Sequence, residues 1–187
     1  MKATDMQRTV LLLVRHGETE DNVRHIMQGQ TQGILTATGC RQAEALGRLM
    51  DQLQIDAFVA SDLRRAVDTA QLIARSHGLP VTTTPLLRER DWGDFTGRYI
   101  PDLEAAAWPE NVESMAHLLQ RAQAFLDFIH DNYPGKCVLA VGHGIINKAI
   151  QAVFYKKPIR EIPRMGNIDV RTLVLSSSRK APATVIS

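Results

Sequence analysis

Residues 11–22 read LLLVRHGETEDN. With Val10 in front, five apolar residues stand in a row. That run is too short for a helix and lacks the alternation of a strand with one wet face, so it reads as a strand buried on both faces. At Arg15-His16-Gly17 the chain turns polar at once. A turn needs only the glycine. The arginine and the histidine need a chemical reason.

Working outward, similar apolar runs recur at 57–61 (AFVAS), 137–141 (CVLAV) and 170–175 (VRTLVL), with a briefer strand at 81–84. Helical spacing lies between them. Residues 39–53 place Ala43, Leu46, Leu49, Met50 and Leu53 on one face, with Thr36 or Thr38 as cap. Residues 62–76 do the same with Leu63, Ala66, Val67, Ala70 and Ile73, capped by Ser61 or Asp62. A long amphipathic helix is predicted from 112 to 129, ended by Pro134-Gly135, and another over 145–154. A short helix is predicted around 101–107, and loops at 17–38 and 85–97. Strands separated by helices imply parallel pairing with right-handed crossovers, hence an α/β fold. No repeat or domain boundary interrupts residues 1–187, which read as a single domain.

Composition narrows the function classes. The chain carries 22 basic and 20 acidic residues, net +2, too balanced for a nucleic-acid or membrane-surface protein. Its N-terminus has too short an apolar run for an export signal or a membrane span, so a cytoplasmic location is expected. Cys40 and Cys137 form no CxxC and read as free, mostly buried thiols. The tail SSSRKAPATVIS has no clear place, and no oligomeric state is readable.

The chemistry gathers at strand ends. The first strand ends in Arg15-His16-Gly17. The second ends in Ser61-Asp62, with Arg64-Arg65 just beyond, and the fourth in Gly142-His143-Gly144. In a parallel sheet these ends share one rim, and ligands bind there. Arginines and histidines at helix N-termini suit an oxyanion with several oxygens, most plausibly phosphate. Gly17 and Gly144 are expected to let the ligand approach the backbone closely. There is no Walker loop, no HExxH and no carboxylate cluster of metal spacing, so neither metal nor cofactor is expected. The nucleophile must then be a side chain or water, and a neutral imidazole can attack phosphorus. A carboxyl beside a phosphate dianion is kept protonated by like-charge repulsion, which makes Glu89 a candidate general acid.

Each piece alone has an ordinary structural reading. Arg-His-Gly can be a turn, Arg64 and Arg65 a solvated helix face, Glu89 one member of a surface ion-pair network, and His143 a satisfied core histidine. What favours chemistry is that three strand ends agree on one ligand type. His25, His77, His117 and His130 receive no role.

Nearly the whole chain resembles the histidine phosphatase superfamily, the branch that includes cofactor-dependent phosphoglycerate mutases. LVRHGETEDN (13–22) resembles its Arg-His-Gly signature, with Thr19 and Asn22 in the usual places. QGQTQGILTATG (28–39) is similar to QGxxDxPLTxxG, SDLRRAVDTA (61–70) to SxLxRAxxTA, LRERDWGDFTG (87–97) to LxExxxGxxEG, and VGHG (141–144) to the second-histidine motif. The resemblance implies a three-layer α/β/α sandwich around a mostly parallel, phosphoglycerate mutase-like sheet. It implies that His16 is phosphorylated on one ring nitrogen while a backbone carbonyl holds the other N–H. Arg15, Arg65 and His143 cradle the phosphoryl oxygens, and Glu89 protonates the leaving oxygen. It selects Arg65 over Arg64. Thr19, Asn22, Gln28, Gly29 and Gly144 fall where phosphate or substrate contacts are expected, and Glu113-Ser114 resembles the GES that opens the long helix.

The sequence departs from the pattern at Gln32, Ile34, Thr96 and Asn111-Val112, around loops that govern substrate choice more than the chemical core. The stretch that covers the site in larger members is short here, a small cap around 92–116. Trp92, Arg98, Tyr99 and Trp108 lie in it, as pocket lining or as packing. The first reading is therefore a metal-independent phosphomonoesterase for a small phosphorylated metabolite. A phosphoglycerate mutase is the second, and a non-catalytic phosphate-binding or adaptor protein the third.

Overall fold

A computed structural model describes residues 8–176. Residues 1–7 of the segment read for an export signal, and all of the tail beyond Ser176, lie outside the described residues. Five strands form one sheet: β1 (Thr9–Arg15), β2 (Ala57–Ser61), β3 (Val81–Thr84), β4 (Cys137–Gly142) and β5 (Val170–Leu175). Their order is β3-β2-β4-β1-β5, and every pair is parallel except β1 with β5.

Alternation along the strands builds two cores. Leu11 and Leu13 of β1, with Val138 and Ala140 of β4, face helices α4 (Met115–Asn132) and α5 (Gly144–Tyr155). Leu12 and Val14, with Leu139 and Val141, face α2 (Ala37–Met50) and α3 (Arg64–Ala74). Both faces of the central strands are covered, which is why their sequences are apolar throughout. The result is the three-layer α/β/α sandwich. The edges depart from that pattern. Thr82 and Thr83 of β3 are exposed, and β5 alternates exposed Val174 with buried Leu173.

Several boundaries differ from the sequence reading. The loop at 17–38 contains a one-turn helix, α1 (Glu20–Val23), closed by a capping box between Thr19 and Asn22. Four residues are too few to show periodicity. α2 starts on Thr36, whose hydroxyl accepts from Gly39 N–H at 2.9 Å; it ends at Met50, so Leu53 falls outside it and Leu49 points to solvent at 72% exposure. α3 begins at Arg64 without a side-chain cap, because the capping position is Leu63; Ser61 Oγ accepts from Leu63 N–H at 3.3 Å, and Asp62 is held by the Arg88 fork at 2.6 and 2.8 Å. α4 runs 115–132 from a Ser114 cap, and the expected helix at 101–107 is a 3-10 turn at Ile100–Leu103. Cys40 and Cys137 are free, and half-buried instead of mostly buried. No helix among the described residues is long and apolar enough to cross a membrane.

Candidate active site

The register of the central strands decides the site. Arg15 pairs with Gly142 across β1 and β4, and His16 N–H donates to the Gly142 carbonyl at 3.1 Å. His16 and His143 therefore leave adjacent strands side by side, with ring centroids 5.1 Å apart. Arg65 enters from the first turn of α3, and Glu89 from the loop after β3. A cavity of about 240 Å³ opens on this rim and is lined by Arg15, His16, Arg65 and Glu89, with Asn22, Gln28, Gly29 and Gly144. His143, fully buried, is beside His16 and is not among the lining residues.

Burial sets the charge states. Desolvation, then the positive charges of Arg65 and Arg15, hold His16 well below the usual histidine value, and the hydrogen bond to Gly17 only partly opposes this. His143 is depressed in the same sense, first by desolvation and next by Arg65. Both rings are neutral at neutral pH. Desolvation lowers Arg65 to about 10, and Glu89 partly offsets it, so the guanidinium keeps its charge. His16 Nδ1 lies 2.7 Å from the Gly17 carbonyl and donates to it, which leaves the lone pair on Nε2.

Polar atoms are left over among the site residues. Arg15 Nε, Gln28 Oε1, Arg65 Nε and both ring nitrogens of His143 are buried with no protein partner among the described residues. Buried polar groups are normally satisfied, and open donors on Arg15, Arg65 and His143 suit a ligand with several oxygens. The rest of each arginine is fixed. Arg15 Nη1 donates to the Met165 carbonyl at 2.8 Å, and Arg65 Nη2 to the Gly29 carbonyl at 2.9 Å, with Nη1 on Thr31.

Glu89 sits at the N-terminus of α5. Its carboxylate accepts from Ile145 N–H at 3.1 Å, Ile146 N–H at 3.2 Å and Arg90 N–H at 2.8 Å. It is thus no member of a surface ion-pair network. Arg121 braces the loop below, donating to the carbonyls of Leu86, Arg88 and Glu89 and to Glu113 at 2.8 Å. Burial works against the charge of Glu113, but Arg121 and the Asp91 N–H outweigh it and lower its pKa.

Two expected contacts have other jobs. Thr19 is fully buried and off the cavity wall; its hydroxyl accepts from Asn22 N–H at 3.1 Å and so shapes the turn that presents Asn22. Asn22 Oδ1 also takes Asn167 Nδ2 at 3.2 Å, which leaves its amide nitrogen to offer the cavity. Gly17 serves packing and not ligand approach, since a Cβ there would lie 2.7 Å from the Gly39 carbonyl oxygen at the start of α2. Gly144 does face the cavity, with a Cβ position 3.6 Å from Glu89 Oε2.

Other wall residues carry no motif. Trp92 lines the cavity, together with Ile26, Met27, Ile100, Ile145, Arg164 and Met165. Arg98, Tyr99 and Trp108 do not. Trp108, 61% exposed, packs on Trp92 and Phe95, with the Arg90 guanidinium 5.3 Å from its ring centroid. The loop at 162–169 is reachable only through tertiary structure, where Ile168 N–H meets the Arg15 carbonyl and Asn167 Nδ2 the His16 carbonyl.

Residues 11–185 match the family described as histidine phosphatase superfamily (branch 1). A relative from Bacillus subtilis (strain 168), named uncharacterized phosphatase PhoE, is 36% identical over 140 residues, which are 73% of this chain and 72% of that protein. A probable phosphoglycerate mutase GpmB from Proteus mirabilis (strain HI4320) is 37% identical over 147 residues, 71% of this chain and 68% of that protein. The solved structure of YhfR from Bacillus stearothermophilus superimposes with a TM-score of 0.82 at 30% identity, covering 88% of this chain and 90% of that one.

Proposed function

The chain belongs to branch 1 of the histidine phosphatase superfamily, and from that premise we propose that it is a metal-independent phosphomonoesterase acting on a small phosphorylated metabolite through a phosphohistidine on His16. The supporting observation is the His16 ring, neutral and oriented by Gly17, set against two buried arginines and Glu89 around one cavity. His16 Nε2 attacks phosphorus as the ester P–O bond breaks. Glu89 gives its proton to the departing oxygen, so the leaving group exits as a neutral alcohol. Arg15, Arg65 and an N–H of neutral His143 hold the equatorial oxygens, where charge builds in the transition state. Water then attacks the phosphohistidine and gives a proton to the Glu89 carboxylate. The P–N bond breaks, and phosphate departs.

Asn22, Gln28, Gly29 and Gly144 contact phosphate or substrate in this scheme, and residues 92–116 act as a small cap within a single 1–187 domain. The GpmB relative favours a second reading, a mutase that returns the phosphoryl group to substrate. A mutase must keep water from its phosphoenzyme. The 92–116 cap holds only short 3-10 turns at Gly93–Phe95 and Ile100–Leu103 before α4, and from it Trp92 and Ile100 alone line the cavity, which supports hydrolysis.

The test is release of phosphate from p-nitrophenyl phosphate and from 3-phosphoglycerate with EDTA present, beside His16→Ala. EDTA-resistant hydrolysis lost in the variant is the expected result. Isomerisation of phosphoglycerate stimulated by 2,3-bisphosphoglycerate would replace this reading with the mutase, and phosphate binding without turnover would leave only a binding protein.

A further inference from the structure

Arg164 is the one cavity-lining cation that the proposed chemistry does not use. It lies on the loop between α5 and β5, which is pinned to the site. Met165 is buried, its carbonyl holds Arg15 Nη1 at 2.8 Å, and its sulfur accepts from Gln151 Nε2 at 3.4 Å. Ile168 N–H donates to the Arg15 carbonyl at 3.0 Å, and Gly166 N–H to Asp169 Oδ2 at 2.9 Å. The backbone at Arg164 is therefore fixed over the cavity, while its side chain has no hydrogen-bond or ion-pair partner among the described residues. It is near enough to Arg15 for its charge to depress that group's pKa, a smaller effect than desolvation and than the opposing pull of Glu89.

Arg15 has counter-charges in Glu89 and Asp169, whereas the exposed Arg164 lines the cavity with no ion pair among the described residues and is open to a ligand anion. In the proposed chemistry Arg15 and Arg65 are committed to the transferred phosphate, and Arg164 is the cavity-lining guanidinium outside that set. Ile26, Met27, Trp92 and Ile100 of the wall offer no compensating charge.

We infer that Arg164 is a specificity-determining residue that binds a second anionic group on the alcohol portion of the substrate, so that esters of hydroxy acids are preferred over esters of neutral alcohols. The inference rests on the phosphomonoesterase reading for its turnover assay but not for its binding assay.

3-Phosphoglycerate and glycerol 3-phosphate differ only in a carboxylate against a hydroxymethyl group. The wild-type protein is expected to favour the former in kcat/KM by about fivefold, as befits a charge-assisted contact at a partly solvated rim. That preference should reside in KM and shrink as salt is raised. Arg164→Gln should bring the ratio close to one, and Arg164→Lys should leave it intermediate, since an ammonium keeps the charge but loses the fork. A wild-type ratio of one, or a ratio unchanged in Arg164→Gln, overturns the inference. The same ratio is read as dissociation constants by calorimetry in His16→Ala, which cannot turn over. If the wild type hydrolyses neither ester, the phosphatase reading fails, while the binding ratio still decides the role of Arg164.

Discussion

At the scale of single residues, space and hydrogen bonding separate the glycines that serve the site from those that serve the fold. At Gly144 an added Cβ would make ordinary contacts, 3.6 Å from Glu89 Oε2 and 3.7 Å from Arg15 Nε. Gly144→Ala should therefore fold with a stability change within about 0.5 kcal/mol. The methyl group would stand between the arginine and the acid, so kcat/KM toward p-nitrophenyl phosphate should drop by about tenfold or more. At Gly39 the same Cβ would sit 2.1 Å from the Glu18 carbonyl oxygen, where backbone must move. Gly39→Ala should lose several kcal/mol, about the upper range for single substitutions, read as a lowered urea midpoint. Equal behaviour of the two variants would contradict this division. Sequence pattern suggested Gly17 and Gly144 as equivalent, because each follows a histidine at a strand end. Only the packing of Gly17 on α2 distinguishes them.

At the scale of elements, the start of α4 and the loop after β3 act as one unit around Arg121. This side chain and its partner Glu113 are 11% and 5% exposed, and the guanidinium holds three successive parts of the loop that ends in Glu89. Arg121→Met would take away the guanidinium partner of the buried Glu113 carboxylate and leave it only the Asp91 N–H and His117, a loss of about 3 kcal/mol, and Glu113→Gln/Arg121→Met should recover part of it. A structural brace alone would slow all substrates alike. A brace that positions the proton donor would slow alkyl phosphates, whose leaving oxygen needs the proton, far more than p-nitrophenyl phosphate, whose leaving group does not. We expect the alkyl-to-aryl kcat ratio to fall by about tenfold in the double variant; an unchanged ratio would reduce Arg121 to a folding role. The sequence pointed to Glu113-Ser114 as the opening of a long helix, and Ser114 is its cap. It could not reveal Arg121, which sits on a helix face where an arginine reads as solvated.

At the scale of the whole molecule, what was legible in the sequence is what a parallel sheet repeats: apolar runs of five or six residues, each ending in polar groups on one rim. Arg15, His16 and His143 follow from that rule, because register alone brings them together. The strand at 170–175 was legible too, but its antiparallel place at the sheet edge, and the loop that carries Arg164, follow from no local pattern, since they depend on pairing with β1 across the chain. The central placement has a thermodynamic consequence. His16 and His143 are buried in the native protein and held neutral, whereas in the unfolded chain each returns toward 6.5. As pH falls below that value, the unfolded state binds protons that the native state refuses. Stability is then full above the unfolded pKa and is lost on acidification down to the depressed native values, with a limiting slope of about 1.4 kcal/mol per pH unit for each histidine. Asp62 is lowered by its bond to Arg88, and its contribution is lost only at more acid pH, through the carboxylate range. Urea unfolding at a series of pH values from about 7.5 to 5 should thus show stability declining by up to about 3 kcal/mol per pH unit in the wild type. The double variant His16→Ala/His143→Ala starts from a different absolute stability because it opens space in the core, but its slope over that window should be much flatter. Parallel slopes for the two proteins would mean that these rings take up protons as readily in the folded protein as in the unfolded chain, so that burial does not hold His16 neutral below pH 6.5.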